Sequence, residues 1–221
     1  MELPCCNVVL NDLKRNLLCF VEYIPVIKFN ADTYFETYDM WVKGMLTLNN
    51  KLDNLIFKDI TKEDLKDVLS LYNQNAQNIY ATGIDGRMSL RDIKEKYLEV
   101  LVNSHEFFTG IFLNKDEGLQ LIGVIKGRID YENSEEAWIS SILVDKRYQR
   151  LGIGTKAAEA LIDMLNRSYD IKRFYIGIIA GNDIGRCFWQ KLEFCYFRTI
   201  EQYIKFKNLT EDLIIMKKEI V

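Results

Sequence analysis

Apolar residues recur along this chain with two periods, and the switches between them predict its elements. Over residues 55–60, L-I-F-K-D-I, apolar and polar positions alternate as in a half-buried strand. Thr61 and Asp64 follow at the spacing of a capping box, which predicts a helix over 62–76. Residues 79–88, I-Y-A-T-G-I-D-G-R-M, carry two glycines and read as a loop. Ser89 with Asp92 opens a second helix over residues 90–102. Strands are expected at 106–113, 119–130 and 136–144, the first two joined by the turn N-K-D-E-G that ends at Gly118. The period then lengthens. Ile153, Ala157, Ala160, Leu161, Met164 and Leu165 form one buried helical stripe, with Lys156, Glu159, Asp163 and Arg167 off it. A strand over 173–179, a helix over 183–192 and strands near 195–206 and 211–219 complete the chain.

Residues 1–52 fit neither period cleanly. Residues 11–21 and 31–46 read as helices, the second carrying Tyr34, Phe35, Tyr38 and Trp41. A strand over 18–29 competes, because Pro25 ends any helix there. The segment holds aromatic residues and no chemical motif, so it is expected to be an extension that packs on the main domain, residues 53–221, or on a second subunit.

The stretch V-D-K-R-Y-Q-R-L-G-I-G-T, residues 144–155, organises the rest. A strand ends at Val144, a basic turn follows, and Gly152 and Gly154 open the amphipathic helix. Glycine lets a ligand approach the backbone closely. The first amides of a helix lack intrahelical partners, and the helix dipole adds positive potential there, so such an end suits a phosphate. Arg147 and Arg150 add formal charge beside it. The spacing is neither a Walker loop nor a dinucleotide G-x-G-x-x-G.

The motif Gln149-Arg150-Leu151-Gly152-Ile153-Gly154 resembles the Q/R-x-x-G-x-G/A pyrophosphate loop of the GNAT acetyltransferase superfamily. The element order resembles that fold over residues 53–221. A third likeness is A-G-N-D-I-G-R-C-F-W-Q-K-L-E-F, residues 180–194: Asn182, Gly185, Phe188-Trp189, Lys191 and Phe194 follow the family's rhythm. The resemblance implies an α/β (α+β) fold with a mixed, mostly antiparallel seven-stranded sheet, flanked by helices and splayed between its fourth and fifth strands. It implies acetyl-CoA as co-substrate, its pyrophosphate on the amides of Leu151, Gly152, Ile153, Gly154 and Thr155 beside Gln149 and Arg150. The pantetheine arm would pair with the backbone of Leu143 and Val144 and touch Asn182, which equally reads as the cap of the following helix.

Two positions depart from the family. Glu193 stands at the usual glycine, and Trp189 stands where many members carry a tyrosine that protonates the departing thiolate. An indole N–H donates but is no acid near neutral pH. Tyr196 is the expected substitute, with Cys187 or water as alternatives. Glu136 is the expected base, with Glu135 and Glu201 behind it, and Ser140 is a candidate to hold a relay water. His105 is the only histidine, which disfavours a histidine relay. Tyr80, Asp85, Arg87 and Tyr203 are expected to line the acceptor site, whose aromatic, mildly acidic character suits a cationic amine or a protein N-terminus.

The expected function is acetyl transfer from acetyl-CoA to a primary amine by direct attack in a ternary complex. The alternative is a non-catalytic acyl-CoA-binding sensor or interaction module on the same fold. Composition narrows the partners. At 221 residues with 48% hydrophobic and 28% charged positions, the chain has a globular balance, and a net charge of −3 argues against bulk nucleic-acid binding. Five cysteines without zinc spacing suggest reduced thiols in a cytoplasm and no metal. The start M-E-L-P-C-C-N lacks a signal-peptide pattern, and residues 17–29 are broken by Glu22, Pro25 and Lys28, so no membrane span is expected. A homodimer is compatible with an extension that supplies an interface.

Overall fold

Alternating apolar positions draw the predicted strands into one sheet. A computed structural model describes residues 50–52, 54–74, 86–130, 132–206 and 209–220. Strands β1 (Asn50–Leu52) and β2 (Leu55–Asp59) form a short hairpin, so the strand structure begins ahead of residue 53. A single 3₁₀ turn, Lys62–Asp64, leads into helix α1 (Leu65–Gln74), and helix α2 spans Leu90–Val102. Both starts carry the expected acid. Asp64 Oδ2 accepts from the Thr61 amide at 2.8 Å, and Asp92 Oδ2 accepts from the Ser89 amide at 2.7 Å. Strands β3 (Glu106–Lys115), β4 (Gly118–Ile129) and β5 (Glu136–Val144) follow. Gly118 leaves the β3–β4 turn at φ +118°, which a side chain would resist.

Helix α3 (Ile153–Tyr169), strand β6 (Arg173–Ile179), helix α4 (Asp183–Lys191) and strands β7 (Cys195–Phe206) and β8 (Leu209–Glu219) complete the order. The strands align as β1-β2-β3-β4-β5-β6-β8-β7, and every neighbour is antiparallel except β5–β6. Among the described residues, apart from the three-residue β1, there are seven strands, and the parallel pair is the fourth and fifth of these. That is the expected GNAT-type sheet.

Strand alternation sends side chains to two faces. On the back, Ala157, Leu161 and Leu165 of α3 and Trp189 of α4 pack with Phe107, Ile125, Ile139, Phe174 and Ile176. On the front, Leu65, Val68 and Leu71 of α1 and Ile93 of α2 pack with Phe108, Phe112, Val124 and Leu143. Farther along the front, Tyr175, Leu213 and Ile215 cluster with Trp138, Ile200 and Tyr203. Among the described residues no helix is long and apolar enough to cross a membrane.

Candidate active site

Strands β5 and β6 pair at only four positions, from Glu136↔Arg173 to Ile139↔Ile176. The cause lies on the other edge of β5. Lys126 of β4 opposes Ser141 and Gly127 opposes Ile139, so Ser140 is an extra, bulged residue. A bulge bends and twists its strand, and beyond it β5 turns away from β6. The edge of residues 140–144 that faces β6 is therefore without a strand partner, and its backbone groups must find partners elsewhere. Ser140 and Gly177 are both exposed at the point of divergence.

The loop at the open end of this fork is held by its own side chains. Buried Asp145 accepts from the Arg147 amide at 2.9 Å and from its guanidinium at 2.7 and 3.1 Å. These bonds hold the Asp145 carboxyl below the usual range, and Gln74 at the end of α1 adds a further one. Gln149 donates from Nε2 to the Val144 carbonyl at 2.8 Å, tying the loop to the end of β5. Arg147 is thus committed to Asp145, while exposed Arg150 has no carboxylate partner among the described residues.

Arg150 at φ +62° and Gly152 at φ +77° turn the chain into α3. Gly152 is the N-cap and offers no side-chain acceptor, so the first amides of α3 stay unclaimed from within the helix. A β-carbon on Gly152 would meet nothing within 4 Å, which means open space beside the cap residue. Glycine at a cap costs only a few tenths of a kcal/mol against serine or aspartate. Burial of Leu161, Ile162 and Leu165 contributes about 1.5–3 kcal/mol each and outweighs it easily. The uncapped start is stable and available to an anion, and the donor set suits a pyrophosphate.

Helix α4 borders the same region. Asn182 Oδ1 accepts from the Gly185 amide at 2.8 Å, so the expected cap is formed. A β-carbon on Gly185 would sit 2.6 Å from the Asn182 side-chain nitrogen, which explains the small residue. Phe188 packs toward Gly154, 3.5 Å from where a β-carbon would lie. Trp189 is buried, edge-to-face with Phe188 at 5.0 Å and Phe194 at 4.9 Å. It is a core residue of the back face. Glu193 adopts φ +67°, the left-handed conformation the usual glycine would supply.

The other expected residues scatter. Glu136 lies at the closed end of the fork, eight residues and roughly 25 Å of strand from Val144. Its Oε1 accepts from Arg173 Nε at 2.8 Å and Asn133 Nδ2 at 3.1 Å. Glu135 pairs there with Lys172 and Arg173. Tyr196 is 67% exposed on the edge strand β7, its hydroxyl 3.3 Å from Thr199. Glu201 and Cys187 are exposed, and His105 sits between α2 and β3. Arg87 is exposed and Tyr203 half-buried; Tyr80 and Asp85 fall outside the described residues. Among the described residues no three His, Cys, Asp or Glu side chains are grouped to hold a metal.

Two features of the front face escape a reading of the sequence. Trp138 of β5 stacks on Tyr175 of β6, with centroids 5.0 Å apart and planes at 21°. Tyr72 of α1 hydrogen-bonds Ser141 beside the bulge, and burial pushes its hydroxyl above the ordinary tyrosine range. Both contacts join residues far apart in the chain, and only the strand register brings them together.

Comparison with known proteins agrees with this geometry. The pattern of the acetyltransferase (GNAT) family matches residues 66–194. The chain is 26% identical over 126 residues to the spermine/spermidine N(1)-acetyltransferase of Bacillus subtilis (strain 168), covering 57% of this chain and 77% of that one. Among solved structures, spermidine N-acetyltransferase from Vibrio cholerae, in complex with CoA and spermine, superimposes with a TM-score of 0.65 at 15% identity, over 76% of this chain and 96% of that one. A microcin C7 self-immunity acetyltransferase in complex with acetyl-CoA and AMP gives 0.64 at 20% identity, over 76% and 94%. At these identities the two structural likenesses speak for the fold.

Proposed function

The chain belongs to the acetyltransferase (GNAT) family, acyl-CoA-dependent N-acetyltransferases, and we propose that it moves an acetyl group from acetyl-CoA to a primary amine by direct attack in a ternary complex. The observation that carries this reading is an uncapped helix start, with open space beside its glycine cap, at the mouth of a fork with one unpaired strand edge. The amides of residues 151–155, with Gln149 and Arg150, hold the pyrophosphate. The edge of β5 that faces away from β4, ending at Val144 whose carbonyl Gln149 already holds, takes the pantetheine, and Asn182 flanks it.

In the reaction the amine nitrogen bonds to the thioester carbonyl carbon as the carbon–sulfur bond breaks. The nitrogen loses one proton and the thiolate gains one, giving an N-acetyl product and free CoA. A backbone N–H of the fork edge facing the carbonyl oxygen stabilises its developing charge. Glu136 is already engaged by Arg173, so we assign it to holding the closed end of the fork. Proton removal falls to water held at the exposed bulge by Ser140. Trp189 is buried and cannot act as an acid, so the thiolate takes its proton from water.

Calorimetric titration with acetyl-CoA and with CoA tests the cofactor assignment. Micromolar or tighter binding is expected, weakened at least about a hundredfold in Gly152→Glu by a side chain and negative charge at the phosphate site. The left-handed φ makes that variant only about 1–2 kcal/mol less stable. Wild-type affinity in the variant would overturn the assignment. The buried Trp189 favours one rival, an acyl-CoA sensor without turnover. Binding of acetyl-CoA with no acetyl transfer to any amine would establish it.

A further inference from the structure

Beyond the fork, the front of the sheet presents two lateral rows fixed by register. The lower row is Trp138, Tyr175 and Lys217, each directly opposite the next. Phe197 closes it, 5.7 Å from the Tyr175 ring and 48% exposed. The upper row is Gly177, Ile215 and Arg198, again opposite one another. Gly177 stands next to the last β5–β6 pair and is exposed, as is Ser140 across the fork. The upper row therefore runs from the point where β5 and β6 diverge to a guanidinium two strands away.

The charges on this face are mostly spent. Arg173 pairs with Glu135 and Glu136, and Lys217 with Glu219. Arg198 differs. Among the described residues it has no carboxylate partner, its Nε is buried without a hydrogen-bond acceptor, and its guanidinium carbon lies 5.7 Å from the Phe197 ring. A buried donor on a cation that lacks an acceptor is costly and uncommon in native proteins, so it calls for an explanation. The terminal guanidinium nitrogens are not among the buried unpaired atoms, and a ligand carboxylate can meet them, because a guanidinium offers paired donors at carboxylate geometry.

We propose that Arg198 binds the carboxylate of the acceptor, and that the acceptor is an α-amino acid. This rests on the acetyl-transfer reading above and adds the substrate class. Arg198 and Gly177 are separated by one strand, roughly 10 Å from backbone to backbone. An arginine side chain is long enough to span most of that, leaving a gap of the size of an amino acid's head group. The amine then lies at the Ser140–Gly177 opening, and the amino acid's side chain rests on the floor of Trp138, Tyr175 and Phe197. Gly177 keeps the opening clear; a β-carbon there would lie in contact with Leu213 at 3.4 Å. A polyamine, with no anion to offer, would meet an unpaired cation.

The test is steady-state acetyl transfer from saturating acetyl-CoA to the coded primary α-amino acids, each beside its own carboxamide, with spermidine as a third acceptor. At least one acid should exceed its amide and spermidine by about tenfold or more in kcat/KM. Arg198→Gln should erase that preference through KM while leaving acetyl-CoA affinity by calorimetry and thermal midpoint unchanged, and Arg198→Lys should restore part of it. The proposal is overturned if amides serve as well as acids, if spermidine is the better acceptor, or if Arg198→Gln slows acid and amide alike. Acetyl-CoA binding with no transfer to any amino acid would sink this proposal alone. Failure to bind acetyl-CoA would sink the reading beneath it.

Discussion

At the scale of single residues, Glu193 shows how this chain departs from its family without losing the family's turn. The Phe194 amide donates to the Trp189 carbonyl at 3.0 Å and the Glu193 amide to the Gln190 carbonyl at 3.0 Å. This is a Schellman cap, which needs a left-handed residue at position 193. A non-glycine residue there costs about 1–2 kcal/mol. Lys218 offsets part of it, donating to the Leu192 carbonyl at 2.9 Å and to the Glu193 carboxylate at 3.0 Å. That ion pair is exposed on the glutamate side and weak. Glu193→Gly should therefore leave stability within about 1 kcal/mol of wild type, gaining backbone freedom and losing the pair. Glu193→Val should cost about 1–3 kcal/mol, because a β-branched residue resists positive φ. Urea denaturation of the two variants checks this, and equal stabilities would refute the cap. The departure at 193 is thus absorbed locally, whereas Trp189 fills the core of the back face.

At the scale of elements, one strand irregularity makes the fork. Without the extra residue at Ser140, β5 and β6 could pair along their full length and leave no free edge. Helix α3 supplies amides to the opening, and α4 frames it through the Asn182 cap and Phe188. The two roles given to Asn182 are separable. Asn182→Ala should cost about 1 kcal/mol of stability through the lost cap. Asn182→Asp keeps a side-chain oxygen for the Gly185 amide and should hold the thermal midpoint. If its affinity for acetyl-CoA still falls, the asparagine amide meets the ligand; if affinity is kept, capping is its whole role. Thermal denaturation and calorimetry on the same two proteins separate these outcomes.

At the scale of the whole molecule, Tyr72 links the front helices to the fork and gives the fold an alkaline limit. Burial raises its hydroxyl above the ordinary value near 10, against a smaller opposing effect of the Ser141 hydrogen bond. Below the unfolded value the tyrosine is neutral in both states and its contribution is complete. As pH climbs through about 10 the unfolded chain ionises first, and stability falls by up to about 1.4 kcal/mol per pH unit until the folded value is passed. Denaturation midpoints from about pH 8 to about pH 11 should show this fall, shallower in Tyr72→Phe; an unchanged slope would mean Tyr72 titrates freely. The Tyr72–Ser141 contact also marks where legibility in the sequence ends. The helix caps at Thr61 and Ser89, the α3 stripe and the Gln149–Gly154 loop were legible because each rests on residues within a turn or two of one another. Local spacing alone determined them, and with them the order of elements. The bulge at Ser140, the commitment of Glu136 to Arg173, the Trp138–Tyr175 stack and the alignment of Arg198 with Gly177 depend on which strands pair and in what register. Those pairings join residues dozens of positions apart, and a shift of one residue would reverse every face. The loop and the helix at the opening were written in the chain; what stands around them was decided only when the sheet formed.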